Sequence, residues 1–240
     1  RFAYLGNNGL VQAKSRMADC PLICCHSIFR YHNVVCRKLA DSLEIPYWAI
    51  PHGSMDPWVF EKTKWVKELW FRTFGRRYFT DAALVILATE RERDKMRQRY
   101  DGDNLRVVHW PVEALDVSKK NQAKLLLRES IKAPPDARLL LYFGRYHTMK
   151  RPLDTIRLFK QANLSESTHL LMVGFDGDLT LRHLDEAANG DSRIHICPPV
   201  SGSKREQVLL GADAYISLSH RENFNFTAAE AMTGKQALIL

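Results

Sequence analysis

The segment LLLYFGRYHTMK at residues 139–150 joins an apolar run to a glycine and two cations. The run Leu139–Phe143 predicts a buried β-strand, and Gly144 at its end leaves room for a ligand beside the backbone. Arg145 follows Gly144 directly, and Lys150 lies five residues after Arg145. Arginine binds phosphate oxygens through two parallel hydrogen bonds, and lysine adds a point charge. The segment therefore indicates a diphosphate site, although a solvated loop is the commoner interpretation of such a segment alone.

Similar apolar runs recur along the chain, and stretches with helical spacing separate them. The predicted strands are Leu22–Cys25, Tyr47–Ile50, Ala83–Leu87, Leu105–His109, Leu139–Phe143, His169–Val173, Arg193–Cys197, Ala214–Leu218 and Ala237–Leu240. Helical spacing covers residues 30–43 and 60–79, and Thr89 with Glu92 has the capping-box pattern of a helix start. This alternation predicts an α/β fold with parallel sheets covered on both faces.

A connection near Trp110-Pro111 and the polar stretch Ser118–Asn121 divide this pattern. We therefore predict two units, residues 1–115 and residues 116–240, with a cleft between them. In open α/β sheets, ligands bind beyond the carboxyl ends of the strands. Functional residues should accordingly follow the apolar runs directly.

A second such segment is SHRENFNFTAAEAM at residues 219–232, which follows the predicted strand Ala214–Leu218. It places Glu222 in a loop and Glu230 in the next helix, and carboxylates in both positions can accept hydrogen bonds from sugar or ribose hydroxyls. The helix start near Thr227 offers backbone N–H groups and a positive dipole end to a phosphate. Taken singly, each glutamate is more often an ordinary surface residue.

Taken together, these segments resemble the family-4-type retaining glycosyltransferases of GT-B fold. In that family a Gly-Arg…Lys segment is followed far downstream by two glutamates separated by seven residues and by an Ala-Met helix. The matching residues here are Gly144-Arg145…Lys150, then Val173-Gly174 at a glycine turn, then Glu222…Glu230-Ala231-Met232. Upstream, Ile45-Pro46-Tyr47…Pro51-His52-Gly53 resembles an acceptor-domain segment of the family, so the resemblance runs from about residue 20 to the end.

The resemblance implies two Rossmann-like parallel-sheet domains facing a cleft, with the acceptor side in residues 1–115 and the nucleotide-sugar donor side in residues 116–240. It implies transfer of a hexosyl group, with retention, from a UDP- or GDP-sugar to a glycan or lipid-linked acceptor, as in polysaccharide biosynthesis. Such enzymes usually need no metal or other cofactor. Because the chain is short at both ends relative to the family, we expect a fragment in which both domains are incomplete.

The resemblance also assigns residues. It implies catalytic roles for Glu222, His52, Arg145 and Lys150. Donor-binding roles fall on Gly53, Gly144, Arg145, Lys150, Glu222, Asn223, Phe224, Asn225 and Glu230. In this scheme Arg145 and Lys150 bind the diphosphate, Glu230 binds the ribose, and Glu222 contacts the transferred sugar, which His52 and Gly53 approach from the facing domain.

The family pattern is not matched everywhere. Asn225 stands where the family commonly has glycine, and asparagine is one of the residues that tolerate a left-handed backbone. Gln236 stands where the family commonly has proline. These departures keep open an alternative, a non-catalytic protein of the same fold that binds nucleotide or glycan.

The net charge of +8 is concentrated in the first half of the chain. Residues 61–80, which we call the basic aromatic segment, interleave six Lys/Arg and two Glu with six aromatic side chains. Such a helix can lie on an anionic membrane surface. The slightly favoured alternative packs the aromatics on the sheet, since Trp70, Phe74 and Tyr78 share one helical face. A nucleic-acid-binding module is a further, weaker alternative, because no nucleic-acid motif surrounds the charge.

Other signals receive little weight. The five cysteines lack paired spacing, which favours free thiols in a reducing compartment. We therefore expect a cytoplasmic protein. If the basic aromatic segment binds lipid, the protein would lie peripherally at the inner face of the membrane. Asp101-Gly102-Asp103 and Asp176-Gly177-Asp178 have a metal-binding form but are better explained as turns. His26, His32 and His109 receive no role.

Overall fold

The chain forms two compact units, residues 1–110 and residues 111–240, and each is described by itself. The structure, a computed structural model, describes residues 14–17, 19–61 and 63–240. Residues 1–13, 18 and 62 lie outside the described residues.

Within the described residues, unit 1 (residues 1–110) contains a four-stranded sheet whose neighbouring strands are all parallel. Its strands, in spatial as well as chain order, are β1 (Ile23–His26), β2 (Tyr47–Ile50), β3 (Leu84–Leu87) and β4 (Leu105–Val107). Its helices are α1 (Tyr31–Leu43), α2 (Pro57–Glu61), α3 (Lys64–Trp70), α4 (Arg76–Thr80) and α5 (Glu90–Arg97), and residues 14–17 are also helical. A π-helical turn, Phe71–Gly75, joins α3 to α4.

Unit 2 (residues 111–240) contains a five-stranded parallel sheet with the order β7-β6-β5-β8-β9, in the numbering used below. Its strands are β5 (Arg138–Phe143), β6 (Thr168–Val173), β7 (Ile194–Cys197), β8 (Ala214–Ile216) and β9 (Ala237–Ile239). Its α-helices are α6 (Lys120–Ser130), α7 (Pro152–Gln161), α8 (Leu181–Ala188), α9 (Gly202–Gly211) and α10 (Phe226–Thr233). Short 3₁₀ turns cover Val117–Lys119 and Thr148–Lys150.

The sheet of unit 2 is buried on both faces, which explains its uninterrupted apolar strands. All six residues of β6 are buried. On one face Leu139 and Leu141 of β5 join the core that includes Leu209. On the other face Tyr142 joins a second core that includes Ile156. The predicted α/β class, with parallel strands alternating with helices, is therefore confirmed.

The predicted strands agree with the observed ones to within two residues at each end. The predicted helix over residues 60–79 is present in part. It is divided where α2 ends at Glu61 and α3 begins at Lys64, and from there helical backbone continues through the π-helical turn into α4. Gly75 explains the position of that turn. A Cβ at Gly75 would lie 2.6 Å from the ring of Trp70 and 2.8 Å from that of Phe71, so only glycine fits there.

Gly174 is the position at which unit 2 has least room for a side chain. A Cβ there would lie 1.9 Å from the carbonyl oxygen of Gly144, which follows β5. The Gly144 N–H donates in turn to the carbonyl oxygen of Val173 at 3.0 Å, so the ends of β5 and β6 are tied together. Gly174 therefore allows the chain after β5 to lie close to the end of β6.

We predict that Gly174→Ala destabilises unit 2 by about 3 kcal/mol, or roughly 10 °C in Tm, because backbone rather than a flexible side chain must move. Gly144→Ala is the matched control, since a Cβ at Gly144 meets no atom within 4 Å. Thermal unfolding followed by circular dichroism measures both variants. Equal Tm values for the two variants would contradict this account of the close approach.

Candidate functional site

Two of the predicted site segments meet in unit 2 because the strands that precede them are neighbours. Strand β5 pairs with β8 in parallel, with Leu140 opposite Ala214. The strand order reverses between β5 and β8, so the carboxyl ends of these strands form the topological switch point at which α/β sheets bind ligands. The loops after the two strands are joined directly, since the His220 N–H donates to the Met149 carbonyl oxygen at 2.9 Å.

At this junction Lys150 and Glu222 form an ion pair, with 2.5 Å between Nζ and Oε1. Both side chains remain partly exposed, at 33% and 25%. Lys150 ends the 3₁₀ turn after β5, and His147 stabilises that turn by accepting a hydrogen bond from the Met149 N–H at 3.0 Å. The predicted diphosphate-binding cation and the predicted sugar-binding carboxylate therefore lie side by side.

The loop that carries Arg145 is fixed to the sheet by buried phenols. The Tyr146 hydroxyl donates to the carbonyl oxygens of Met172 at 3.2 Å and Cys197 at 3.0 Å. The Tyr142 hydroxyl donates to the Arg145 carbonyl oxygen at 2.9 Å. The Arg145 side chain itself is exposed, and it forms no ion pair within the described residues. Its backbone is thus held in place while its guanidinium is available to a ligand.

Glu230 lies in α10 and is paired with Arg205 of α9, a residue that the sequence analysis did not single out. The Glu230 side chain is 18% exposed, and the contact uses its Oε2 atom. The Arg205 guanidinium also lies over the Phe143 ring, 5.7 Å from its centroid. Since Phe143 ends β5, these contacts tie Glu230 to the same end of the sheet as Lys150. The 25-residue separation between Arg205 and Glu230 carries no local sequence pattern, so only the fold reveals the pair.

Asn225 has the left-handed backbone that was expected of it, with φ 58° and ψ 67°. Its side-chain oxygen accepts a hydrogen bond from the Ala228 N–H at 3.3 Å and so caps α10. One of the helix-start donors considered for phosphate is therefore already satisfied. Phe224 and Phe226 flank this cap, with an edge-to-face contact at 4.9 Å between ring centroids.

The carboxylates of the two Asp-Gly-Asp segments have different partners. Asp178 accepts hydrogen bonds from the Thr148 N–H at 2.8 Å and from its hydroxyl at 2.6 Å, and these bonds lower the pKa of Asp178. Asp176 accepts from the Leu181 N–H at 3.0 Å. These carboxylates thus stabilise the loop after β5 and the start of α8. In the first segment, Asp101 forms an ion pair with Arg97 at 3.0 Å.

In unit 1, the predicted residue His52 contacts His26, to which the sequence analysis assigned no role. His26 ends β1, and its Nδ1 lies 2.8 Å from Nε2 of His52, which follows β2. The two strands are neighbours in the sheet, so their carboxyl ends bring the imidazoles together. The His52 ring also stacks on that of Trp110, with 5.6 Å between centroids and planes 19° apart.

The turn that carries His52 is stabilised by Glu92. His52 and Gly53 both have positive φ angles, of 50° and 72°. Glu92 is buried and accepts hydrogen bonds from the Gly53 N–H and, at 2.7 Å, from the Ala88 N–H. The predicted capping box is therefore only half present. The Thr89 side chain accepts a hydrogen bond from the Glu92 N–H at 3.1 Å. The Glu92 carboxylate binds the Ala88 and Gly53 N–H groups instead of that of Thr89, and so stabilises the turn after β2.

Partial desolvation of the ring lowers the pKa of His52 below its ordinary value of 6.5, and the neighbouring His26 lowers the pKa further, while Glu92 acts in the opposite direction. A neutral His52 can share one proton with His26, with one ring nitrogen donating and the other accepting. The contact therefore restricts the tautomers of both rings. It leaves His52 as an uncharged imidazole near neutral pH.

Residues 124–240 match the sequence model of the family "Glycosyl transferases group 1". The matched part contains Arg145, Lys150, Glu222 and Glu230, together with Arg205.

Curated relatives are more distant. The chain is 26% identical over 172 residues to the GDP-mannose:cellobiosyl-diphosphopolyprenol alpha-mannosyltransferase of Xanthomonas campestris, covering 70% of this chain and 42% of that protein. It is 27% identical over 172 residues to the D-inositol 3-phosphate glycosyltransferase of Xylanimonas cellulosilytica, covering 67% of this chain and 41% of that protein. The chain thus spans about two fifths of the length of the curated relatives it matches.

Among solved structures, the chain resembles Anabaena HepE in complex with UDP and glucose, with a TM-score of 0.77 and 15% identity over 99% of this chain and 64% of that one. It also resembles sucrose-phosphate synthase from Thermosynechococcus elongatus, with a TM-score of 0.69 and 17% identity over 95% of this chain and 58% of that one. At such identities the likeness establishes the fold, and the predicted GT-B fold is confirmed.

We predict that His52 titrates below pH 6.5 in the folded protein. Between its folded pKa and 6.5 the unfolded chain binds more protons than the native chain, so the free energy of unfolding falls as the pH falls through this window. NMR titration of the imidazole resonances, assigned with His52→Gln, measures the pKa. The same variant should weaken the pH dependence of unfolding. A His52 pKa at or above 6.5 would contradict the paired geometry.

Proposed function

Because residues 124–240 match the sequence model of the family "Glycosyl transferases group 1", we propose that this chain carries the nucleotide-sugar site of a retaining glycosyltransferase. The observation that carries the proposal is the Lys150–Glu222 pair at the junction of β5 and β8. It combines a phosphate-binding cation with a carboxylate suited to sugar hydroxyls at the switch point of the sheet. We propose a UDP- or GDP-hexose as donor and a glycan or lipid-linked acceptor.

In the proposed reaction, the bond between the sugar C1 and the diphosphate oxygen breaks, C1 forms a bond to an acceptor hydroxyl oxygen, and the proton of that hydroxyl passes to the departing diphosphate. Negative charge grows on the departing diphosphate. Arg145 and Lys150 stabilise that charge, since fixed cations act most strongly where charge develops in the transition state. Lys150 changes partner from Glu222 to the phosphate, and the freed carboxylate accepts hydrogen bonds from the sugar. Retention of the anomeric configuration rests on the family resemblance.

Glu230 binds the ribose of the donor in this proposal. Its Oε2 atom is occupied by Arg205, whereas Oε1 forms no hydrogen bond within the part of the chain that the structure describes. A fixed carboxylate with one oxygen available suits the hydroxyls of a ribose, because alcohols donate well to a carboxylate. We propose that Arg205 orients Glu230 for this contact by holding its other oxygen.

The names of similar proteins support the substrate classes. The similar enzyme of Xanthomonas campestris is named for GDP-mannose and a diphosphopolyprenol-linked acceptor, and the similar Anabaena structure holds UDP and glucose. For His52 we propose a catalytic role and for Gly53 a donor-binding role, both on the ground of the resemblance. The residues Gly144, Asn223, Phe224 and Asn225 complete the proposed donor-binding set.

We predict that one of UDP, GDP and ADP binds the chain in calorimetry. Glu230→Ala should weaken that binding by about 10- to 100-fold, because it removes hydrogen bonds to a charged group. Lys150→Ala should weaken binding to a similar degree by removing a cation from the diphosphate. Glu166→Ala is a matched control, since that carboxylate is 92% exposed and lies outside the proposed site.

Transfer is tested separately, by following labelled hexose from the matching nucleotide sugar into glycan and lipid-linked acceptors. Product with the anomeric configuration of the donor supports a retaining enzyme, and loss of transfer in His52→Ala supports its role. Diphosphate binding without transfer favours the non-catalytic alternative. Failure of a folded chain to bind any of the three diphosphates would contradict the donor-site proposal.

A further inference from the structure

The basic aromatic segment (residues 61–80) has an outer side that its fold does not bury. Trp65 is 74% exposed, Leu69 56% and Phe74 45%. The other side of the same segment packs on the core of unit 1 through Phe71 and Phe79, which are 6% and 0% exposed. The expectation that the aromatic side chains of this segment pack on the sheet therefore holds for only some of them.

The π-helical turn explains this division. A turn of five residues shifts the helical phase between α3 and α4, so that Phe71, Gly75 and Phe79 stay on the buried side. Trp65 and Leu69 of α3, and Arg72 and Phe74 of the π-helical turn, are left on the outer side. The sequence spacing of Trp70, Phe74 and Tyr78 had suggested a common face because it assumed an uninterrupted α-helix.

Cations surround the exposed apolar side chains. Arg72 is 76% exposed and Arg77 is 74% exposed, and each makes only a long ion pair with an acidic residue, at 3.6 Å and 3.5 Å. Lys64 and Arg76 are exposed and form no ion pair with any described residue. The outer side thus combines a large aromatic, aliphatic side chains and positive charge with little compensating negative charge.

We propose that the outer face of this segment, formed by Trp65, Leu69, Arg72, Phe74 and Arg76, docks on an anionic lipid bilayer. Amphipathic helices with lysine and arginine beside tryptophan and leucine lie in the membrane interface, where apolar side chains enter the acyl boundary and cations meet lipid phosphates. Charge complementarity selects this occupant over a neutral apolar one. No described helix is both long and apolar enough to cross a membrane.

The test uses vesicles of phosphatidylcholine with and without phosphatidylglycerol, and measures the fraction of the full chain that sediments with them. Binding should require the anionic lipid and weaken as salt is added. Trp65→Ala combined with Leu69→Ala should lower the partition coefficient by roughly tenfold or more, because it removes the inserted apolar area. Arg72→Glu combined with Arg76→Glu should lower it on the order of 30-fold.

Matched controls come from unit 2. Leu125→Ala replaces a leucine that is 63% exposed, and Arg182→Glu replaces an arginine whose side chain is 87% exposed. Both should leave sedimentation unchanged. Fluorescence adds a depth readout, since brominated lipid should quench the wild type more strongly than Trp65→Phe. All replaced side chains are exposed, so each variant should keep the wild-type Tm.

Three results would overturn the proposal: no sedimentation with anionic vesicles by folded protein, equal loss in the control variants, or dimerisation abolished by Trp65→Ala, which would indicate a second copy as the occupant. The inference does not depend on the transfer reaction. Calorimetry with UDP and GDP on the same preparations separates the two, because lipid binding without nucleotide binding counts only against the donor site.

Discussion

The parallel pairing of β5 with β8 is the constraint on which the candidate donor site depends. These strands are far apart in the chain, yet their carboxyl ends are adjacent because the strand order reverses between them. That adjacency brings Lys150 within 2.5 Å of Glu222. It also places Phe143, at the end of β5, under the guanidinium of Arg205 and hence near Glu230. A local change in either loop would leave these contacts possible, whereas a shift of the strand pairing would remove them all.

In both units, side-chain hydrogen bonds hold the loops that carry polar groups at the end of a parallel sheet. In unit 2, buried phenols such as Tyr146 and the carboxylate of Asp178 fix the backbone after β5. In unit 1, the buried Glu92 carboxylate holds the turn at Gly53, and His26 restricts the ring of His52. Side-chain hydrogen bonds of this kind hold backbone in one arrangement at loops that a hydrophobic core cannot reach. The side chains left available, Arg145 foremost, then meet a ligand from a rigid base.

Much of this could be predicted from the sequence, because the governing patterns are local. Apolar runs at strand length marked every strand, and the Gly144-to-Lys150 segment fell at a strand end as predicted. The contacts of Glu230 and of His52 could not be predicted, since Arg205 and His26 are separated from them by 25 and 26 residues and meet them only in the folded chain. The π-helical turn at Gly75 was missed because periodicity analysis assumes a constant number of residues per turn.

The measurement that most directly tests the central claim is a crystal structure of the chain with UDP or GDP bound. The account predicts diphosphate oxygens within hydrogen-bond distance of Arg145 and Lys150, ribose hydroxyls at Glu230, and the Lys150–Glu222 contact opened. A nucleotide bound elsewhere, such as at the amino end of β5, where Arg128 and Asp213 form an ion pair at 2.7 Å, would contradict it. So would a nucleotide bound beside β5 and β8 whose diphosphate touches neither Arg145 nor Lys150.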